Sequence, residues 1–187
     1  MELVLAHPEI PQNTGCAARL AAATGRRLHL IEPLGFSLSD RYLKRAGLDY
    51  WPQVELSVHA DWESACAHFA ESSKKPLEER FKLFSARGGS SLFETSFAED
   101  DLLCFGSETK GLPEDLLERH SAARVYVPIR KGVRSLNLAN VVCLATYTAM
   151  VSAGMALPEN DGSYAAPPQT DITARPDNIA QRIEVRP

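Results

Sequence analysis

The sequence predicts a single α/β domain: a mostly parallel sheet with helices on both faces. Three observations carry that reading. Six short apolar runs alternate with segments of helical length along the first 153 residues. The 187 residues, 44% of them hydrophobic, suffice for one sizeable core and are too few for two. No repeat or linker divides the alternating region. Strands that alternate with helices pair in parallel through crossovers, and the helices then cover both faces. Ligands of such sheets bind beyond the carboxyl ends of the strands.

Taken in order, residues 3–7 (LVLAH) read as a buried strand, and 13–25 (NTGCAARLAAATG) as an alanine-rich helix ended by Gly25. Residues 27–33 (RLHLIEP) form a second strand, stopped by Pro33. Residues 37–49 have helical spacing, with Ser39 as N-cap and Gly47 near the end. A strand over 54–58 and a helix over 61–73 follow, then strands over 80–86 and 101–106, a short helix over 113–121, a strand over 123–129 and a last helix over 137–153. From Gly154 the chain turns rich in Pro, Gly, Asn and Asp, and residues 154–187 are expected to be a flexible tail.

Composition excludes several classes. The formal charge is -4, from 20 basic and 24 acidic residues, so no global basic field marks the chain for nucleic acid and any RNA contact must come from local patches. The four cysteines, Cys16, Cys66, Cys104 and Cys143, show no CxxC spacing and sit among apolar neighbours. They read as buried thiols of a reducing cytosol, not as disulfides or metal ligands. No secretory signal and no stretch of about 18 apolar residues occurs, so the expectation is a soluble, cytoplasmic protein. Neither GxGxxG nor GxxxxGK[ST] follows the first strand.

Three polar loops stand at strand ends instead. In residues 8–20 (PEIPQNTGCAARL), Asn13 or Thr14 is placed to cap the helix. Arg19, among Ala17, Ala18, Ala21 and Ala22, is a long cation on a helix of small residues, suited to a phosphate or ribose. In residues 105–113 (FGSETKGLP), Gly106 permits close backbone approach to a ligand and Gly111 a positive φ, with Glu108 and Lys110 between them. In residues 127–142 (VPIRKGVRSLNLANVV), Ser135 or Asn137 is placed to cap the last helix. Asn137 and Asn140 share a face there, and a buried amide needs partners. Each loop also has a purely structural reading as a cap or turn.

Together with residues 44–51 (KRAGLDYW), these stretches resemble the SPOUT superfamily of S-adenosylmethionine-dependent RNA 2′-O-methyltransferases, and within it the branch acting on the wobble cytidine or uridine of the tRNA anticodon loop. The likeness covers residues 1 to about 153, with the motifs in family order. It implies a C-terminal deep trefoil knot that holds the cofactor bent, and a homodimer with the active site near the subunit interface. It implies a cofactor pocket of Ala86, Gly106, Val127, Ile129, Ser135 and Leu136, acting largely through backbone groups. RNA contacts fall to Asn13, Arg19, Arg41, Lys44, Arg45, Lys110 and Arg134, beside Arg130 and Lys131, and the chemistry to Arg19 and Tyr147. Glu108, Gly111, Asn137 and Asn140 would tie the knot loops, with no metal and no membrane contact. The sequence departs from the family at Ala86, where relatives often carry a larger aliphatic residue, and at Ser107, where many carry proline. A methyltransferase for ribosomal RNA and a catalytically silent RNA-binding protein are the alternatives on the same fold.

Overall fold

The computed structural model describes residues 1–38 and 53–160 and the backbone of residues 184–185. The strands are β1 (Glu2–Ala6), β2 (Leu28–Ile31), β3 (Leu56–His59), β4 (Phe81–Phe84), β5 (Ser90–Ser91), β6 (Leu102–Phe105), β7 (Arg124–Tyr126) and β8 (Glu184–Val185). The helices are α1 (Pro11–Thr24), α2 (Trp62–Glu71), α3 (Leu77–Arg80), α4 (Glu114–Arg119) and α5 (Leu138–Ser152). Every strand pairing is parallel, in the order β5-β7-β4-β6-β1-β2-β3-β8. From β1 the chain builds outward through β2 and β3, then returns to the other side of β1, where β6 fills the slot between β4 and β1. The order therefore reverses at β1 and β6, and a crevice opens beyond their carboxyl ends.

Alternation along the strands makes two cores. Leu3, Leu5, Leu28, Leu30, Leu103 and Phe105 point to the face covered by α1 and α5, through Ala17, Ala18, Ala21, Val142, Ala145 and Ala149. Val4, Ala6, Ile31, Leu83, Leu102 and Cys104 point to the other face, where Ala65 and Phe69 of α2 and Leu116 and Leu117 of α4 cover them. The alanines of α1 let it lie close to the sheet and to α5.

Among the described residues, the polar side chains of Glu2, His29, His59 and Arg80 pair with one another or with backbone beside the second core. The His29 Nε2 lies 2.7 Å from Glu2 Oε2, and His29 Nδ1 lies 3.1 Å from His59 Nε2, with both histidines buried. Since the carboxylate only accepts, His29 donates from Nε2. Burial, with the neighbouring His29 and His68, lowers the His59 pKa to about 4. Burial pushes the Glu2 carboxyl up, but the His29 hydrogen bond and the nearby charges of His29 and Arg80 more than reverse this and leave it low. Arg80, 1% exposed, donates to Phe69 O at 2.6 Å and Asp100 O at 2.8 Å, clamping the end of α2 onto the loop before β6.

Several expectations change. The sequence reading has six strands; β5 and β8, two residues each, are too short to leave a periodic signal. The expected strand over 123–129 stops at Tyr126, because Val127 to Ile129 leave the sheet to line a cleft. The helix expected over 37–49 falls almost wholly on residues 39–52, outside the described residues, as do Arg41, Lys44 and Arg45. The cysteines are not all buried: Cys104 is buried and Cys66 half-buried, but Cys16 and Cys143 are exposed on the outward faces of α1 and α5. Burial pushes the Cys66 thiol up to about 11 and the Cys104 thiol well above the usual range, so both are poor nucleophiles.

Candidate active site

A cleft of about 1010 Å³ opens at the carboxyl ends of β4, β6 and β7. Its floor is apolar: the rings of Phe84 and Phe105 stack with centroids 4.6 Å apart at 19°, beside Leu117, Val125, Leu138 and Val141. Three stretches of backbone form its walls: residues 85–88, 106–112 and the segment from Val127 to Ile129 with Arg134 to Asn137. From Val127 to Leu136 the backbone closes a single turn bond among the described residues, Val133 N to Arg130 O at 3.1 Å. Irregular backbone of this kind can offer amides and carbonyls to a ligand.

The loop after β6 is shaped by its own backbone. Ser107 and Gly111 exchange hydrogen bonds of 3.2 and 2.9 Å, and Gly111 takes φ 75°, which favours glycine. A Cβ on Gly106 would stand 1.9 Å from the Gly111 carbonyl carbon. Gly106 is thus required by the closure of the loop itself, before any ligand is considered, and it also lines the cleft.

The side chains between Ser107 and Gly111 then join three loops. Glu108 accepts from Glu9 N at 2.8 Å, Ile10 N at 3.2 Å and the Asn13 amide at 2.8 Å. α1 begins at Pro11 with Ile10 as its N-cap residue, which offers no side-chain acceptor, so Glu108 caps the helix from 98 residues away. The expectation that Asn13 or Thr14 caps α1 is therefore corrected. Asn13 lies inside the helix, and its Oδ1 accepts from Asn137 Nδ2 at 3.0 Å. Asn137 is the N-cap of α5, accepting from Asn140 N. Asn140 itself is exposed and enters the network through its backbone alone, so the idea of a buried amide there does not hold.

Of the residues singled out from sequence, Asn13, Ala86, Gly106, Glu108, Lys110, Gly111, Val127, Ile129, Arg134, Ser135, Leu136 and Asn137 all line this cleft. Arg19 and Tyr147 do not: both are exposed on α1 and α5 and outside its lining. Sequence reasoning missed Glu9, which accepts from Thr109 Oγ1 at 2.7 Å and Thr109 N at 3.2 Å, and the aromatic floor of Phe84 and Phe105. The phenylalanines end apolar strands, a signal indistinguishable from ordinary core. Among the described residues no cluster of His, Cys, Asp or Glu has the geometry to hold a metal.

A parallel sheet with a switch-point cleft, walled by irregular backbone and knitted across three loops, defines a ligand-binding α/β domain. The SpoU rRNA methylase family matches residues 1–147, and the chain belongs to it. A tRNA (cytidine(34)-2′-O)-methyltransferase of Burkholderia ambifaria is 46% identical over 153 residues, 81% of this chain and 95% of that protein. A protein of that name from Polaromonas is 43% identical over 82% of this chain and 92% of its own length. A solved structure described as giving insight into 2-OH methylation of C/U34 on tRNA superposes with TM-score 0.75 at 48% identity, over 82% of this chain and 95% of that one. The methyltransferase AviRb of Streptomyces viridochromogenes, solved with AdoMet, shares the fold at TM-score 0.68 and 21% identity, over 81% of this chain and 59% of its own.

Proposed function

We propose that the protein transfers the methyl group of S-adenosylmethionine to the ribose 2′-hydroxyl of the wobble cytidine or uridine in the tRNA anticodon loop. The observation that carries the reading is the cleft, whose lining includes all six residues of the expected cofactor pocket. S-adenosylmethionine suits it. Its adenine is flat and apolar with a hydrogen-bonding edge, matching an apolar floor walled by backbone amides and carbonyls. Bound there, it supplies an activated sulfonium methyl.

The protein's own work is then alignment. Holding the ribose oxygen in line with the methyl removes much of the barrier, roughly 7–11 kcal/mol in well-oriented systems. The guanidinium of Arg19 offers donors and no acceptor, so it is not the base. In this reading it holds the adjacent phosphate and stabilises the developing alkoxide, while the proton leaves to phosphate or water. Arg19 lies outside the cleft of its own chain, which favours a homodimer with the site near the interface. The exposed apolar residues Leu144, Tyr147 and Val151 of α5 supply a face for such a contact, in which Tyr147 would serve the interface in place of the chemistry. We further infer that the segment from β6 onward is threaded as a deep trefoil knot, tied by Glu108, Asn13 and Asn137.

RNA would be gripped by Lys110 and Arg134, which line the cleft, with Arg130 and Lys131 on the segment between Ile129 and Arg134, all four exposed. An unpaired anticodon loop suits such a site because its bases can be splayed out. The test is incubation of tRNA lacking the wobble modification with the protein and S-adenosylmethionine, followed by nucleoside mass spectrometry. Appearance of 2′-O-methylcytidine or 2′-O-methyluridine in anticodon fragments supports the reading; cofactor binding without any tRNA methylation refutes the substrate.

A further inference from the structure

The cations at the cleft mouth differ in how they are held. Arg87 is paired with Glu114 at 3.0 Å and is spent on that contact. Arg134 faces no carboxylate within ion-pair distance among the described residues, and its Nη2 donates to the carbonyl of Thr109 at 3.3 Å. That carbonyl is itself fixed. Thr109 gives Oγ1 to Glu9 Oε1 at 2.7 Å and its backbone N to Glu9 Oε2 at 3.2 Å, so one carboxylate grips the residue at two points. Glu9 lies in the loop after β1, which is held from the opposite side: Gly35 N donates to Pro8 O at 2.9 Å, and a Cβ on Gly35 would stand 2.7 Å from Glu9 Cα. A rigid chain of contacts thus runs from the loop after β2, through Glu9 and Thr109, to the guanidinium of Arg134.

The two-point hold of Glu9 on Thr109 ties the loop after β1 to the loop after β6, and it is not needed to start α1. The amides at the start of α1 are already served by Glu108, and Glu9 and Thr109 are outside the buried core. An exposed hydrogen-bond chain that ends on a cation without a counter-ion fits a device that aims the cation. We propose that Glu9 and Thr109 are positioning residues for RNA: they hold the Thr109 carbonyl so that Arg134 is presented, with its remaining N–H donors outward, to a phosphate beside the reacting ribose. The proposal rests on the RNA reading above. It differs from a cofactor role, because the lever acts on the exposed mouth of the cleft and leaves its apolar floor untouched.

The test is a double-mutant cycle on the full-length protein, saturated with S-adenosylmethionine and assayed on an anticodon stem-loop RNA. Thr109→Val removes the hydroxyl donor at nearly constant shape, and Thr109→Ser restores it. Loss of one such hydrogen bond corresponds to about threefold to tenfold in affinity. Thr109→Val is therefore expected to raise the KM for RNA by that factor with cofactor Kd unchanged, and Thr109→Ser to sit near the parent. In an Arg134→Ala background Thr109→Val should do nothing more, and the salt dependence of RNA binding should flatten by about one ion for both single variants. An equal loss in the Arg134→Ala background, or a change in cofactor Kd alone, overturns the positioning role. If the parent protein itself neither binds nor methylates the RNA, the functional reading fails and the inference falls with it. A parent that is active on RNA beside a neutral Thr109→Val defeats only the inference.

Discussion

Replacing Glu108 by alanine removes one acceptor from three donors at once: Glu9 N, Ile10 N and the Asn13 amide. The helix start has no substitute, because Ile10 carries no side-chain acceptor. Loss of a helix cap costs roughly 1 kcal/mol. Loss of a negative charge at the positive end of a helix adds about 0.3–1 kcal/mol. Stranding the Asn13 amide in a nearly buried place adds about 1–2 kcal/mol. The expected total is about 2–4 kcal/mol, a large part of the roughly 5–15 kcal/mol that holds most domains folded. For a chain of this size that is a Tm lower by about 4–16 °C. Urea unfolding followed by circular dichroism measures the loss directly. Calorimetry with S-adenosylmethionine on the folded variant should show at least a tenfold weaker cofactor, because the loops that Glu108 joins both line the cleft. Glu108→Gln, which turns one acceptor oxygen into a donor, should fall between. An alanine variant within 0.5 kcal/mol of the parent would show that Glu108 is not the cap of α1.

Three further outcomes are expected. His59 has its pKa lowered to about 4 from 6.5, so its contribution to stability is complete above about pH 6.5 and is lost as pH falls toward 4. The loss is at most about 3 kcal/mol and nearer 1–2 kcal/mol once screening is allowed for; His59→Gln should flatten the profile between pH 6.5 and 4.5, and a profile parallel to the parent would contradict this. Gly106→Ala should destabilise the fold by more than about 2 kcal/mol, since the added methyl meets the Gly111 carbonyl carbon at 1.9 Å, and unchanged urea unfolding would show that the loop can yield. Arg19→Ala should keep cofactor affinity within about twofold while methyl transfer falls at least about a hundredfold; undiminished turnover would remove Arg19 from the chemistry.

The alternation of apolar runs made the parallel sheet and its two covered faces legible, because buried strands such as Leu102 to Phe105 have little freedom in composition. Strand ends were less legible. Val127 to Ile129 are as apolar as the strand they continue, and only the turn of the chain toward the cleft separates them from it. The cap of α1 was not legible either, because its acceptor lies 98 residues away and local rules point to Asn13 and Thr14. Likewise the Glu2, His29 and His59 chain joins three strands in space, and no spacing along the sequence announces it. The cleft residues were found through resemblance to a family; their polarity alone fits a turn as well as a site.

The most direct test of the central claim compares two anticodon stem-loop RNAs, one with ribose and one with 2′-deoxyribose at the wobble position alone, each supplied with S-adenosylmethionine labelled in the methyl group. Transfer to the ribose substrate and none to its deoxy counterpart is the predicted result. Equal labelling of both RNAs, or labelling of neither while ribosomal RNA is labelled, would contradict the assignment.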